Sequence, residues 1–247
     1  MMATVAGSSR PRFWIEGPLS PGALLDLPQE VTRHVAALRL REGDPIALFS
    51  GAGGEHAATL VRVARDRCTA KIGAHSGVER ESPLQVTLAL GISAGDRMDI
   101  AVQKATELGV ARIVPLETER SVVRLSEGRA DRRLAHWRGV AIAACEQCGR
   151  NRLPQIDAVT GLDPFLVAPP SGARLLLSPE GERTLRELTP EKAITLLIGA
   201  EGGLAPRERE HALKAGFTAV RFGPRILRTE TAPLAALAAI QAIWGDC

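Results

Sequence analysis

The sequence predicts a mixed α/β fold: a small β-rich domain followed by a larger domain in which strands and helices alternate. Up to residue 80 the chain consists of short strand-like segments and turns, whereas from Pro83 onward apolar strands alternate with amphipathic helices. The chain has 247 residues, 45% hydrophobic and 24% charged, which is the composition of a globular protein with a core. We therefore expect two domains, at residues 1–80 and 83–247.

The first domain is predicted to be a small barrel-like β domain with one helix. Four segments carry β-branched or aromatic residues in partial alternation and are predicted strands: residues 12–17, 45–50, 57–64 and 68–75. A glycine-rich turn at residues 51–54 joins two of them as a hairpin. Apolar residues at helical spacing predict a helix over residues 29–38. The polar, glycine-containing residues 73–82 are predicted to form a linker.

In the second domain, strand-like and helix-like segments follow one another in order. The predicted strands are residues 84–91, 112–116, 174–177, 194–198 and 219–222. The predicted helices are residues 96–108, 130–148, 206–215 and 232–244. This alternation predicts a largely parallel sheet with helices on both faces. Ligands of such sheets bind at the carboxyl ends of the strands, so we expect the chemistry in the loops that follow them.

One stretch of the chain, rather than its overall charge, favours a partner rich in phosphate. The chain has 31 basic and 28 acidic residues, and 27 of the basic residues are arginine. Arginine donates paired hydrogen bonds to phosphate and never loses its charge, but a genomic bias toward arginine is the better explanation of the global excess. Between residues 112 and 152, nine arginines and no lysine stand against five acids, a local surplus of +4. This stretch is the better indication of a polyanionic partner.

The cysteines and the hydropathy pattern exclude several classes of protein. Four cysteines do not make a disulfide framework in a chain of this length. Cys145 and Cys148 lack a second pair at zinc spacing, so we predict a buried, reduced pair on a helix and no metal. No apolar run reaches the roughly 18 residues of a membrane helix, and residues 1–12 lack a signal-peptide core. A cytoplasmic protein is expected.

Two loops near the end of the chain are the candidates for chemistry. Residues 198–203, IGAEGG, follow a strand, and their glycines let the backbone approach a ligand closely; a tight strand-to-helix turn is the alternative. No Lys-Ser/Thr pair follows, so the loop is not a P-loop. Residues 222–232 place Thr229, Glu230 and Thr231 ahead of an apolar helix. One of them could be its N-cap, but a cap explains neither the two arginines nor the carboxylate beside it.

The strings IGAEGG at 198–203 and RILRTETA at 225–232 resemble the RsmE family, bacterial 16S ribosomal RNA uridine N3-methyltransferases of the SPOUT class. Four further strings agree: QKATELGV at 103–110, ERSVVR at 119–124, EQCGRNRLP at 146–154 and HVAALRLREGDPIALFSG at 34–51. The resemblance covers nearly the whole chain. The family usually has Pro where this chain has Ala200, and commonly Ser or Thr in place of Ala205, so the following helix loses a capping hydroxyl.

The resemblance implies an N-terminal PUA-like β-barrel domain that binds RNA and a SPOUT methyltransferase domain whose C-terminal end forms a trefoil knot. It also implies a homodimer that binds S-adenosylmethionine in the knot, with the active site near the dimer interface. We expect the cofactor to contact Leu176, Leu177, Pro179, Ile198, Gly199, Glu201, Gly202, Gly203, Phe222, Gly223, Ile226, Leu227, Arg228, Thr231 and Ala232.

Three residues of these loops are candidates for catalysis. Uracil N3 carries a proton at neutral pH, so methylation requires that the proton be removed or the resulting anion be stabilised. Arg228 could stabilise the anion, and Glu201 or Glu230 could accept the proton. For each carboxylate, a partnership with backbone or arginine alone is the alternative.

The RNA surface is expected to be built from arginines of both domains. N3 lies on the pairing edge of uracil, so the target base must be unpaired or flipped out. The predicted RNA contacts are Arg10, Arg12, Arg33, His34, Arg39, Arg41, Arg120, Arg124, Arg150 and Arg152. Phe13 and Trp14 could stack on bases, although a place in the barrel core explains them as well.

Two other functions stay open at this point. One is a SPOUT methyltransferase that acts on transfer RNA or on a ribose 2′-hydroxyl. The other is a non-catalytic RNA-binding factor of ribosome assembly that has kept the fold, which the departure at Ala200 favours slightly.

Overall fold

The structure is a computed structural model that describes residues 10–123 and 126–247. The chain divides into two units. The first contains the chain through Arg80 together with Cys145–Arg152, and the second contains Glu81–Ala144 and Leu153–Cys247. No helix within the described ranges is long and apolar enough to cross a membrane.

The first unit is built on a five-stranded sheet with one helix. Its elements are β1 (Arg12–Trp14), β2 (Leu24–Asp26), α1 (Gln29–Ala37), β3 (Pro45–Phe49), β4 (Glu55–Val63) and β5 (Cys68–Ser76). The strand order is β1-β3-β4-β5-β2, in which β1 and β3 are parallel and the other neighbours antiparallel. Phe13, Val35, Ile46, Leu48 and Leu60 are fully buried in its core. These features agree with the predicted barrel-like β domain, and Phe13 is a core residue rather than an exposed stacking platform.

Two details of the first-domain prediction are wrong. Residues 73–75 were assigned both to the last predicted strand and to the start of the linker. They belong to β5 together with Ser76, since His75 pairs with His56 and Ser76 with Glu55 of β4, so the linker assignment is wrong here and the strand assignment is confirmed. The strand β2 was not predicted, because three residues are too few to show an alternating pattern.

The second unit contains a seven-stranded sheet in which all pairings are parallel. Its strands are β6 (Gln85–Gly91), β7 (Arg112–Glu117), β8 (Gln155–Ile156), β9 (Thr160–Gly161), β10 (Ala173–Leu177), β11 (Ala193–Ile198) and β12 (Thr218–Val220). The strand order is β12-β10-β11-β6-β7-β8, with β9 also beside β7. The predicted parallel sheet is confirmed. The short strands β8 and β9 were not predicted, and the last strand ends at Val220 rather than at residue 222.

Helices cover both faces of this sheet. They are α2 (Arg97–Glu107), α3 (Glu127–Cys148), α4 (Leu162–Val167), α5 (Pro206–Lys214) and α6 (Thr231–Trp244), with a 3₁₀ turn at Leu185–Glu187. Residues of α2, α3 and α6 pack on one face, and residues of α4 and α5 pack on the other. Because side chains alternate along a strand, Leu175 of β10 enters the first of these cores and Leu176 the second.

Candidate active site

A cavity of about 140 Å³ lies at the carboxyl edge of the parallel sheet. Because β12, β10 and β11 are neighbours in that order, the loops that follow them meet at this edge. The residues that line the cavity are Leu177, Ser178, Pro179, Ile198, Gly199, Ala200, Glu201, Gly203, Phe222, Gly223, Arg225, Ile226, Leu227, Thr229 and Ala232. The two loops singled out in the sequence therefore share one cavity, together with the loop after β10.

Most residues expected to contact the cofactor line this cavity, but four do not: Leu176, Gly202, Arg228 and Thr231. The Leu176 side chain is 2% exposed and packs in the core on the opposite face of the sheet. Ser178, Ala200, Arg225 and Thr229 line the cavity without having been expected to do so.

Close backbone packing shapes the loop at residues 198–203. A Cβ atom on Gly199 would lie 2.6 Å from the carbonyl carbon of Gly203, and one on Gly91 at the end of β6 would overlap Ala200 N. The N–H of Gly203 donates to the carbonyl of Ala200 at 2.8 Å and closes the loop on itself. The turn therefore forms with alanine at position 200.

The helix α5 that follows this loop begins at an N-cap residue whose side chain cannot cap it. Ala205 is the N-cap and offers no hydroxyl, and Pro206 occupies the first helical position. Glu208 supplies the other half of the cap, since its Oε2 accepts a hydrogen bond from Ala205 N at 2.9 Å. Its Oε1 accepts another from Glu119 N at 2.7 Å, so one buried carboxylate connects the start of α5 to the loop after β7.

Glu201 lies between the cavity and the start of α2. Its Oε1 accepts hydrogen bonds from Ala94 N at 2.8 Å and from Arg97 Nη1 at 3.0 Å. Burial raises the pKa of Glu201, but hydrogen bonds from the backbone of Ala94 and of Glu201 itself and from Arg97 outweigh it, so the pKa is lowered overall. Glu201 is therefore a carboxylate at neutral pH.

Thr229 and Glu230 face inward from the second loop. The Thr229 and Ser93 hydroxyls lie 3.0 Å apart, and both side chains are buried. Glu230 does not line the cavity; its Oε2 lies 3.7 Å from Arg97 Nε. Glu230 is the N-cap residue of α6, but no side chain caps this helix, so the N-cap interpretation of the loop's hydroxyls does not hold.

Arg225 and Arg228 are the exposed cations of the second loop. No hydrogen bond or ion pair joins either guanidinium to another residue in the part of the chain that the structure describes. Arg225 lines the cavity, whereas Arg228 lies next in the chain to the lining residues Leu227 and Thr229. Both are therefore available to an anionic ligand.

The residues expected to bind RNA occupy different environments. Arg10, Arg33, His34, Arg39, Arg41 and Arg152 of the first unit and Arg120 of the second are exposed, and Arg124 lies outside the described residues. Arg12 is half-buried, forms an ion pair with Glu55 and donates to Asn151 Oδ1 at 2.8 Å. Arg150, which was also expected to contact RNA, is 5% exposed.

The predicted cysteine pair is buried only in part. Cys145 is fully buried and Cys148 is half-buried. Among the described residues, no group of three or more His, Cys, Asp or Glu side chains is placed to hold a metal ion.

Comparison with known proteins places the chain in a family. A model of the RNA methyltransferase domain matches residues 80–241. The ribosomal RNA small subunit methyltransferase E of Buchnera aphidicola subsp. Schizaphis graminum is 32% identical over 240 residues, which cover 96% of this chain and 97% of that relative. The chain belongs to the ribosomal RNA small subunit methyltransferase E family. The resemblance to the RsmE family inferred from the sequence is thus confirmed.

Two solved structures of similar proteins contain the methyl donor. A ribosomal RNA small subunit methyltransferase E from Neisseria gonorrhoeae, bound to S-adenosylmethionine, is 44% identical, with a TM-score of 0.90 over 96% of this chain and 99% of that one. A methyltransferase from Legionella pneumophila with bound S-adenosylmethionine cofactor is 38% identical, with a TM-score of 0.94 over the same shares.

Sequence reasoning about this family member missed the segment between β6 and α2. Ser93, Ala94 and Arg97 contact residues of both cavity loops. Residues 96–108 show a plain amphipathic pattern, in which an arginine at the first turn resembles any solvated charge. The one indication in the sequence was that residues 93–97 follow a strand of the parallel sheet, because the segments after such strands converge at its carboxyl edge.

Proposed function

We propose that this protein transfers a methyl group from S-adenosylmethionine to N3 of a uridine in 16S ribosomal RNA. The observation that carries the proposal is the single cavity formed by the 198–203 and 225–232 loops, with two exposed arginines on the second loop. The family and the donor-bound relatives support the same conclusion.

The cavity suits the donor by shape and by chemistry. Leu177, Ile198, Phe222 and Leu227 provide apolar walls for an adenine, and the loop backbone provides polar groups for the ribose and adenine edge. The space that a Cβ on Gly199 would fill is taken up by the backbone of Gly203, which keeps the loop narrow. S-adenosylmethionine supplies a methyl group that its sulfonium already activates, so holding donor and base in line is the main task left to the protein.

The residues at the cavity edge have distinct roles in this proposal. Arg228 stabilises the negative charge that develops on the uracil carbonyl oxygens when N3 loses its proton. Glu201 lines the cavity, and of its two carboxylate oxygens Oε1 takes the contacts with Ala94 and Arg97. Position precedes pKa in selecting a base, so Glu201 is our candidate for the proton acceptor, and Glu230, which faces Arg97, has a positioning role.

The first unit and the assembly complete the proposal. We assign the first unit, as a PUA-like domain, to RNA binding through Arg10, Arg33, His34, Arg39, Arg41 and Arg152. The family resemblance further implies a SPOUT domain with a C-terminal trefoil knot, a homodimer, and a cytoplasmic location, where ribosomal subunits are found.

The test is a methylation assay with purified small subunits that lack the modification, followed by mass spectrometry of nucleosides from the 16S RNA. The expected product is one N3-methyluridine per subunit. A methyl group on transfer RNA or on a ribose hydroxyl would replace the substrate assignment. Donor binding without any transfer would support a non-catalytic RNA-binding factor instead.

A further inference from the structure

Residues 93–97, which lead from β6 into the first residue of α2, touch both loops of the cavity without lining the cavity itself. Toward the second loop, the Ser93 hydroxyl lies 3.0 Å from Thr229 Oγ1, and both side chains are buried. Toward the first loop, Ala94 N donates to Glu201 Oε1 at 2.8 Å. The segment therefore already connects the two loops through one backbone amide and one hydroxyl.

Arg97 is the residue of this segment that contacts both loops at once. Its Nη1 lies 3.0 Å from Glu201 Oε1 and its Nε lies 3.7 Å from Glu230 Oε2. The glutamate side chains are 23% and 20% exposed, so water screens each of them only in part. Glu230 Oε2 is buried without a hydrogen-bond donor among the described residues, which makes the charge of Arg97 its main compensation.

We propose that Arg97 is a positioning residue for methyl transfer, which holds the 198–203 loop and the 225–232 loop in one arrangement by pairing with a carboxylate of each. The inference rests on the proposed function, because these are the loops assigned to the donor. The planar guanidinium presents N–H groups in several directions and can serve two carboxylates at once, whereas a lysine ammonium is a compact charge on a flexible stem.

This pairing is expected to fix the positions of the two loops while adding little to the free energy of unfolding. Isolated ion pairs at the surface contribute little to folding. Holding Glu230, however, also fixes Arg228, since the Arg228 carbonyl accepts hydrogen bonds from Thr231 N and Ala232 N at the start of α6, both at 2.9 Å. Loss of Arg97 is therefore expected to affect donor binding and transfer more than melting temperature.

The experiment measures donor affinity by calorimetry on the full chain carrying Arg97→Gln, Arg97→Lys or the control Arg207→Gln. Arg207 also lies in the first turn of a helix of the same unit, 3.6 Å from Asp163 Oδ2, with its side chain 72% exposed. Arg97→Gln is expected to weaken S-adenosylmethionine binding about tenfold, the loss of about one charged hydrogen bond. Arg97→Lys should fall between wild type and Arg97→Gln, and Arg207→Gln should match wild type.

A double-mutant cycle with Glu230→Gln separates pairing from general loosening. Glu230→Gln should weaken donor binding in the wild-type background and have little further effect on Arg97→Gln, because both substitutions remove the same contact. Fully additive effects, or an Arg97→Gln affinity within about twofold of wild type, would overturn the proposal. If circular dichroism shows Arg97→Gln unfolded, Arg97→Lys decides: affinity about threefold weaker supports pairing, and wild-type affinity overturns it.

The wild-type protein distinguishes this inference from the proposed function. Donor binding that depends on Arg97, without methylation of small subunits, would leave the role of Arg97 standing and remove the substrate assignment. A wild-type chain that binds no S-adenosylmethionine would overturn both.

Discussion

Two glutamates, Glu146 in the first unit and Glu201 in the second, each accept a hydrogen bond from a backbone amide, yet their pKa values shift in opposite directions. Burial raises the pKa of Glu146, and the hydrogen bond from Trp14 N at 3.0 Å and the charges of His34 and Arg12 offset it only in part. At Glu201 the donors outweigh burial, and Arg97 is among them.

Glu201 accepts more hydrogen bonds than Glu146: the backbone amides of Ala94 and of Glu201 itself lower its pKa most, and Arg97 adds to them. His34 Nδ1 stands 3.8 Å from Glu146 Oε2, too far for a hydrogen bond, whereas Arg97 donates directly to Glu201 at 3.0 Å. The second unit thus lowers the pKa of the carboxylate at its cavity, while burial in the first unit raises the pKa of Glu146.

The largest effect is expected from a substitution that damages only the second unit. Gly199→Ala should abolish measurable donor binding, because the new Cβ would lie 2.6 Å from Gly203 C and displace the loop, and a shift of about 1 Å can cost about a hundredfold. Calorimetry with S-adenosylmethionine measures it. Gly139→Ala, with nothing within 4 Å of its Cβ, is the control that should bind normally.

The matching substitution in the first unit sharpens the contrast. A Cβ on Gly73 would lie 2.8 Å from the Ala57 carbonyl, so Gly73→Ala should lower thermal stability while leaving donor affinity as it is. Normal donor binding by Gly199→Ala, or its loss in Gly73→Ala, would contradict the assignment of the donor to the second unit.

The next effect separates binding from chemistry within the second unit. Arg228→Ala should reduce the rate of methyl transfer about a hundredfold, the usual cost of removing one donor to a developing anion, with donor affinity nearly unchanged. Single-turnover transfer and calorimetry measure the two quantities. Arg186→Ala, an exposed arginine on the 3₁₀ turn, should change neither. Equal losses of transfer and donor affinity would remove the catalytic role of Arg228.

A smaller effect is expected from the basic residues of the first unit. Replacing Arg33 and Arg41 together by Ala should weaken RNA binding about tenfold at moderate salt and reduce the slope of log K against log salt by about 1 per arginine. Filter binding over a salt series measures the slope. Donor affinity should stay at the wild-type value. An unchanged slope would show that these exposed arginines do not contact phosphates.

The smallest effect tests the two glutamates directly through pH. The pKa of Glu146 is raised in the fold, so its contribution to stability is present at acid pH and lost as pH rises through that pKa. The pKa of Glu201 is lowered, so its contribution is present above the ordinary glutamate range and lost as pH falls through the lowered value. In the wild type, the Glu146 contribution to the unfolding free energy is lost between acid and neutral pH, so Glu146→Gln should reduce that loss. The Glu201 contribution is lost on further acidification, so Glu201→Gln should reduce the loss in that range.

Urea unfolding at a series of pH values measures both curves. Each change should stay below about 1 kcal/mol, as is usual for single, partly exposed ionic groups. The comparison would be contradicted if Glu146→Gln changed the unfolding free energy only on further acidification, or if Glu201→Gln changed it only between acid and neutral pH.

The sequence was most informative where a pattern repeats or a motif is local. Alternating segments were enough to predict the parallel sheet, and a parallel sheet brings successive loops to one edge, which is why residues 198–203 and 225–232 share a cavity. The contacts of Arg97 could not be predicted in this way, because they join positions more than 100 residues apart. The burial of Arg150 follows from tertiary placement, since Cys145–Arg152 belongs to the first unit, a fact that no local pattern records.

The carboxylate of Glu208 holds Ala205 N with one oxygen and Glu119 N with the other. The start of the helix that follows residues 198–203 therefore depends on a distant part of the chain. Grafting residues 198–208 onto another scaffold would leave half of that carboxylate unsatisfied unless the turn around Glu119 travelled with it, and a designer who wished to move the loop alone would do better to restore a serine or threonine at position 205.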